Sequence, residues 1–472
     1  MGKKNFYLTT TLPYVNDAPH LGFALEIVQA DAVARYHKLN GDNVFFNFGT
    51  DEHGLKIYQK ALEEGKDITE YCDGYALKFD ALKKSLNLSY NNFIRTTDEN
   101  HIRSAQEFWK KCDANGDIYK KNYKAKYCVG CELEKTDSEL ENGKCPIHPN
   151  KDLEIIEEEN YFFKFSNYQN KLLKFYEENP NFVIPESKYN EIKTFVKSGL
   201  QDFSISRLKE KMPWGIGVPN DSKHVMFVWF DALVNYVSAI GWPDDMNNFN
   251  KWWPVTQFAG KDNLRQQTAI WQAMLMSAGL PNSKQVFIHG FVTSNGQKMS
   301  KSLGNVINPI EISEKYGTDA LRYFVLAKMN PFDDSDFTFE KFEETYNADL
   351  ANGLGNLISR VAKLCEKVEI GNLDRNEKID KEISDNLEIF RFDNALDIVW
   401  QKIRSIDQQL STDKPWEIKD NKELIKSITP IAQQILDLSF SLLPFLPETA
   451  EKIEKIFTVN KIVSLKPLFP RI

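Results

Sequence analysis

An α/β fold is predicted, in which a parallel sheet is split by an insertion and followed by an α-helical domain. Three observations predict it: a strand, loop, helix and second strand open the chain, strand-like segments return after about residue 223, and the pattern is helical from about residue 346. Residues 6–11 are β-branched and aromatic, a loop with Pro13 and Pro19 follows, and residues 24–39 carry apolar side chains at helical spacing. A second strand over 44–48 ends at Gly49-Thr50-Asp51. Ligands of a parallel sheet sit beyond the carboxyl ends of its strands, where His20 and Asp51 both fall. After helical sequence to about 116, the composition shifts to Cys, Lys, Glu and Asn, so 117–223 is read as the insertion. The sheet resumes over 224–294 with strands at 225–230, at 257–259 before Gly260-Lys261-Asp262, and at 286–288 before His289-Gly290. A loop-bearing region, 295–345, then leads to a helical domain over 346–472, with amphipathic stretches at 350–365, 379–410 and 422–443.

A length of 472 residues suggests about three domains. Apolar residues at 42% and charged residues at 27% exclude a disordered or fibrous chain. A formal charge of −8 excludes a protein that coats nucleic acid along its whole surface, so any RNA contact has to be local. No run approaches the ~20 apolar residues of a membrane span. The start, Met1-Gly2-Lys3-Lys4-Asn5, runs through Phe6-Tyr7-Leu8 into three threonines and lacks the apolar stretch of a secretory signal. Cys72, Cys112 and Cys365 are scattered singly, as suits a reducing compartment, and a cytoplasmic location is expected. The other cysteines form Cys128-x2-Cys131-x13-Cys145-x2-His148. Three thiolates and an imidazole in two close pairs are the donor set of a closed tetrahedral Zn²⁺ site, so a structural zinc is expected there.

Pro19-His20-Leu21-Gly22 lies between the first strand and its helix, where an imidazole and the backbone N–H groups of the first turn can face one anion. Taken alone it is more often a loop histidine beside a helix-starting glycine. Lys298-Met299-Ser300-Lys301-Ser302 follows the turn dipeptide Asn295-Gly296 and places two lysines and two hydroxyls on a loop able to close over a triphosphate, although lysines on loops are commonly just solvated.

In this order, with a long insertion between them, the two pieces resemble the paired His-Ile-Gly-His and Lys-Met-Ser-Lys-Ser motifs of the class I aminoacyl-tRNA synthetases. The flanks Thr11-Leu12-Pro13-Tyr14-Val15-Asn16, Gly49-Thr50-Asp51-Glu52-His53-Gly54 and Val228-Trp229-Phe230-Asp231-Ala232 look like the methionyl branch of that class, and the resemblance runs from about residue 5 to 460. It implies a Rossmann-like catalytic domain, a connective insertion with a zinc knuckle, a stem-contact region around the lysine-rich loop and a helical anticodon-binding domain. It further implies that methionine is activated with Mg²⁺·ATP to methionyl adenylate and pyrophosphate, and then passed to the 3′ terminal adenosine of tRNA(Met). His20, Gly22, Lys298 and Lys301 would be the catalytic group. Asp262, His289 and Ser300 would join them around ATP. For methionine the resemblance implies Leu12, Tyr14, Asp51, Trp229, Ala232, Tyr236, Gln267 and Trp271, with Asp51 taking the α-ammonium and the aromatic wall the thioether. Tryptophans on α/β elements are otherwise more often core than pocket.

Two positions depart from the pattern: Phe23 replaces the second histidine of the first motif, and Gln267 stands where many members carry a pocket histidine. In the helical domain Asn356 and Arg360 share a helix face, and Lys414-Pro415-Trp416 presents an aromatic plane. These positions match anticodon-reading residues of the resembled family, which stack and hydrogen-bond unpaired bases. A monomer that does not touch membrane is expected. The alternatives are a class I synthetase for leucine, isoleucine, valine or cysteine, and a catalytically silent tRNA-binding protein that kept the fold.

Overall fold

The structure, a computed structural model, describes residues 3–472 apart from 132, 136, 300–303, 460–461 and 463–465. Its centre is a sheet of six parallel strands: β1 (Asn5–Thr9), β2 (Asn43–Thr50), β3 (Asn92–Arg95), β4 (Val183–Ile184), β5 (Thr256–Gly260) and β6 (Gln285–His289). They lie in the order β3-β2-β1-β5-β6-β4. The two halves of the sheet meet where β1 pairs with β5, Leu8 opposite Thr256 and Thr9 opposite Gln257. The connections leave in opposite directions there, so a crevice opens beyond the carboxyl ends of these two strands.

Alternation along the strands makes two cores. Phe6 and Leu8 of β1, Val44, Phe46 and Phe48 of β2, and Phe287 of β6 face one side, whereas Tyr7, Val286 and Ile288 face the other. The first side is covered by α1 (Leu21–Leu39), the second by α2 (Glu99–Ala114). Helix α1 is buried on nearly every face, because it lies between the sheet and α3 (Thr318–Ala327), and the enclosure takes in Glu26, Gln29 and Asp31 along with its apolar residues. The same core runs on into the C-terminal helices α4 (Asn356–Cys365), α5 (Phe392–Asp413) and α6 (Asn421–Leu442) through Leu357, Val361, Ile403, Ile428 and Ile435.

One buried cation ties these layers together. Arg322 of α3 has no exposed side-chain surface; it donates to the carbonyls of Phe445 (2.7 Å), Leu86 (3.1 Å) and Pro444 (3.1 Å), and pairs with Asp31 of α1 at 2.8 Å.

Two sequence expectations differ from the structure. The stretch 117–223, read as one insertion, returns part of itself to the sheet, since β4 pairs with β6 at Val286–Val183 and Phe287–Ile184. A two-residue strand before Pro185 has no periodicity to reveal it. What remains carries a four-stranded antiparallel sheet built mainly on Ile118–Cys128 against Glu154–Phe163. The segment 225–230, read as a strand of the resumed parallel sheet, is instead the end of an antiparallel strand, Asp221–Met226, followed by the helix Val228–Ala232. A short apolar run buried on all sides has the same pattern as strand or helix. No helix among the described residues is long and apolar enough to cross a membrane.

Candidate active site

The loop after β1 is zipped onto the end of β2: Asp51 N donates to Pro13 O (2.9 Å), Val15 N donates to Asp51 O (3.1 Å), and Tyr14 and Asp51 form a parallel bridge. Tyr14 and Asp51 thus stand side by side at the crevice. With Leu12, Trp229, Ala232, Tyr236 and Gln267 they line a cleft of about 380 Å³. Gln267 is held on both ends, accepting from Gln257 Nε2 at 2.8 Å and donating to Tyr236 Oη at 2.7 Å. The neutral amide therefore occupies the pocket's polar corner. Trp271 does not line this cleft: fully buried, it stacks on Phe108 at 5.5 Å and backs the pocket through Tyr236, with ring centroids 5.8 Å apart. Its indole packs between Phe108 and Tyr236, one layer behind the cleft wall.

A second hollow of about 330 Å³ adjoins the first and is lined by His20, Gly22, Glu26, Asp262, His289 and Lys298. Thr11, Phe23, Asp262, Asn263 and Lys298 border both, so the two form one continuous crevice. Phe23 packs against Phe48 and Phe79 at 5.5 and 5.6 Å, which accounts for an aromatic ring at that position. Lys298 closes a hairpin whose turn residues Asn295 and Gly296 have φ of 52° and 72°, the left-handed pair that a tight two-residue turn requires. Ser300 and Lys301 lie outside the described residues.

His20 is the N-cap of α1, and its Nδ1 accepts the Gly22 N–H at 3.1 Å. That bond occupies one of the N–H groups expected to meet an anion and fixes the tautomer instead: Nδ1 accepts, so the neutral ring carries its proton on Nε2. Partial desolvation in the crevice and the charge of Lys298 keep the imidazole below its ordinary pKa against the opposing pull of Asp17 and Asp262, while part of the ring stays open to solvent. His289 is in the opposite state. Burial lowers its pKa but is outweighed by Glu26, whose Oε2 lies 2.9 Å from Nε2, while Nδ1 donates to Gly290 O at 2.7 Å. Nδ1–H meets a carbonyl and Nε2 meets the Glu26 carboxylate, a buried histidine–carboxylate pair whose surroundings favour the protonated ring. Glu26 also accepts from Thr11 N (2.7 Å) and Thr11 Oγ1 (2.6 Å), tying α1 to β1 and β6. Sequence reasoning missed Glu26; its one signal is a carboxylate inside the apolar run Leu25-Glu26-Ile27-Val28.

Cys128, Cys131, Cys145 and His148 converge, with all four donor atoms within 4.8 Å of one another. Cys131 Sγ lies 3.5 Å from Cys145 Sγ and 3.2 Å from His148 Nδ1, and Cys128 Sγ lies 3.7 Å from the same nitrogen. Edges of about 3.3–3.8 Å are those of a tetrahedron around an ion bonded at about 2.0–2.3 Å, so the residues fit a metal. Burial and the lysines at 298, 151, 56 and 135 bring His148 down to about 4, leaving a neutral imidazole able to ligate. Gly130 is required there, since a Cβ would fall 2.6 Å from the His148 ring. Gly130, Cys131, Ile147 and His148 also line the cleft that holds Asp51 and Trp229, so the knuckle walls the crevice rather than standing apart from it.

In the helical region, Arg360 lies with its guanidinium 5.6 Å from the Trp416 ring centroid and its Nη1 2.6 Å from Asp407. Asn356, at the start of α4, is exposed, as is Trp416 at 46%. The three residues lie on one face.

The chain matches the family of class I tRNA synthetases (M) over residues 6–154 and 131–362. It is 41% identical to a methionine–tRNA ligase of Thermotoga maritima over 95% of this chain and 74% of that protein. The chain belongs to the methionine–tRNA ligase family of class I synthetases. It is accordingly an aminoacyl-tRNA synthetase. A methionine–tRNA ligase of Brucella suis is 40% identical, with 97% of this chain and 93% of that one aligned. A solved Mycobacterium tuberculosis methionyl-tRNA synthetase in complex with methionyl-adenylate is similar with a TM-score of 0.91 and 32% identity, over 99% of this chain and all of that one.

Proposed function

We propose that the two-part crevice activates methionine with ATP and charges tRNA(Met), its subsites divided along the crevice. A methionine carboxylate oxygen attacks the α-phosphorus of Mg²⁺·ATP, the bond to the β-phosphate breaks, and pyrophosphate leaves. The terminal ribose hydroxyl of tRNA then attacks the adenylate carbonyl and AMP leaves. No bond to the protein is needed in either step, so catalysis is positioning and charge stabilisation.

Asp51 takes the α-ammonium, and Leu12, Tyr14, Trp229, Ala232, Tyr236 and Gln267 enclose the thioether. His20, presenting Nε2–H, and Lys298 flank the phosphates, Asp262 and His289 border the nucleoside, and Gly22 leaves the first helical turn open. Ser300 and Lys301 are assigned to the same anion by their motif alone. Cys128, Cys131, Cys145 and His148 are assigned a structural Zn²⁺ that holds the knuckle against the cleft. The proposed division is a catalytic unit in 1–116 and 224–294 with Val183–Ile184 added, the rest of 117–223 as insertion, 295–345 as the loop and stem-contact region, and 346–472 as the anticodon domain. The observation that carries the reading is the continuity of the crevice: an acidic, aromatic-walled end and a histidine-capped helix start share Asp262 and Lys298 on their common border.

Amino-acid-dependent ATP–pyrophosphate exchange across all twenty amino acids tests it. Methionine alone should support exchange; a response to leucine, isoleucine, valine or cysteine instead, or none at all, defeats the reading. For the anticodon assignment, Trp416→Ala should leave exchange intact and weaken tRNA binding by about 1–3 kcal/mol, the worth of one base stack. Equal loss of both activities contradicts the separation.

A further inference from the structure

Three successive residues after β2 point in three directions. Asp51 lines the cleft. Glu52 is gripped from the β3 side, its two carboxylate oxygens taking Arg95 Nε at 2.7 Å and Arg95 Nη2 at 2.9 Å, with Thr97 Oγ1 at 2.6 Å. His53 turns the opposite way, into a fully buried cluster with no part in the steps above. Its Nδ1 lies 2.7 Å from Asp231 Oδ2, Asp231 Oδ1 lies 2.8 Å from His101 Nε2, and His101 Nδ1 lies 3.0 Å from Ser238 Oγ. Asp231 and His101 have no exposed side-chain surface and His53 has 6%.

Asp231 sits in the short helix Val228–Ala232, between Trp229 and Ala232, both of which line the cleft. One carboxylate therefore joins the segment bearing Asp51 to the segment bearing the aromatic wall, across 178 residues of chain, and anchors both on α2 through His101. An ionised carboxylate only accepts, so His53 donates from Nδ1 and His101 from Nε2, which fixes both tautomers. Burial pushes the Asp231 carboxyl up, and the two imidazoles outweigh it to hold the acid ionised.

Resting on the reading of the crevice as a methionine-activating site, we propose that Asp231 and His53 are positioning residues that set the spacing between the ammonium-binding carboxylate and the side-chain wall, and so determine affinity for the amino acid rather than for the nucleotide. Neither segment reaches the hollow assigned to ATP: neither Asp51 nor Trp229 borders the part of the crevice lined by His20 and His289. A bond to an ionised group that also fixes a ring orientation is worth enough that its loss should weaken methionine binding about tenfold or more.

The test is steady-state ATP–pyrophosphate exchange on the full chain, with KM measured separately for methionine and ATP. Asp231→Asn presents one amide N–H₂ where an acceptor is needed and forces one ring into its other tautomer. His53→Ala removes the donor. Both should raise the methionine KM about tenfold while the ATP KM stays within about twofold. His53→Asn puts an amide nitrogen where Nδ1 stood and should restore most of the methionine affinity, whereas His53→Gln, which reaches to the Nε2 position, should not. A merely structural role would move both KM values together and would not separate Asn from Gln. Unchanged methionine KM in His53→Ala, or equal changes for both substrates, overturns the proposal. Should Asp231→Asn fail to fold, the Asn and Gln pair at position 53 decides it. Absence of methionine-dependent exchange in the unaltered protein would defeat the functional reading itself, a distinguishable result.

Discussion

His20→Ala is expected to slow adenylate formation by about 10²–10³, the cost of removing one preorganised donor from a developing anion. The ring does two jobs: Nδ1 caps α1 by accepting from Gly22 N, and that bond leaves Nε2–H as the free donor of a residue that lines the hollow with Asp262 and Lys298. Alanine removes both. His20→Asn separates them, since a short amide can still cap a helix. It should recover stability without recovering rate. Lys298→Ala should cost a similar factor in rate with no loss of stability, because Lys298 is exposed at the end of the hairpin's short return strand. Single-turnover adenylate formation measured alongside thermal unfolding checks all three, and an unimpaired rate in His20→Ala would remove this residue from the mechanism.

Arg322→Leu is expected to destabilise the protein by about 3–5 kcal/mol, because removing one partner of a buried pair leaves a buried charge behind. Asp31 retains Arg35 at 2.7 Å, which favours the lower end, while three carbonyls at Leu86, Pro444 and Phe445 lose their donor, which favours the upper. Denaturant unfolding followed by a sheet-side and a helix-side probe should show the two transitions separating, since Arg322 bridges α1 to the turn before Pro447–Phe457. The pH dependence follows from Asp31. Burial raises its carboxyl pKa, but Arg35 and Arg322 outweigh it and hold the folded value below the ordinary one. Its contribution is full above the unfolded value near about 4 and is lost as pH falls through the folded value. An Arg322→Leu protein that unfolds like the unaltered one would contradict the bridging role.

Much of this architecture was legible because it rests on local pattern. The opening strand, loop, helix and strand, the return of strands after the insertion, the helical C-terminal region and the metal-ligand spacing all follow from periodicity and residue spacing. What stayed hidden depends on contacts across the chain. Strand β4 is two residues long and is defined only by β6 beside it. Residues 225–230 are apolar enough to be buried in either conformation, and the fold puts a helix where a strand was expected. Trp271 and Trp229 look alike in sequence, yet one is enclosed by Phe108 and Tyr236 and the other lines the cleft. The pairing of Glu26 and the His53–Asp231–His101 cluster stayed hidden for the same reason: each carboxylate is matched by a histidine far away in the chain. The position of the knuckle as a wall of the crevice was likewise beyond a reading that saw only its ligand spacing.

The central claim is that one crevice holds the amino acid at Asp51 and the nucleotide between His20 and Lys298. A crystal structure with a non-hydrolysable methionyl-adenylate analogue measures this directly. The analogue's ammonium should lie within hydrogen-bond distance of Asp51, its side chain against Trp229 and Tyr236, and its phosphate-mimicking group beside His20 Nε2. An analogue bound with its adenosine away from His20 and Lys298, or its ammonium away from Asp51, would contradict the account.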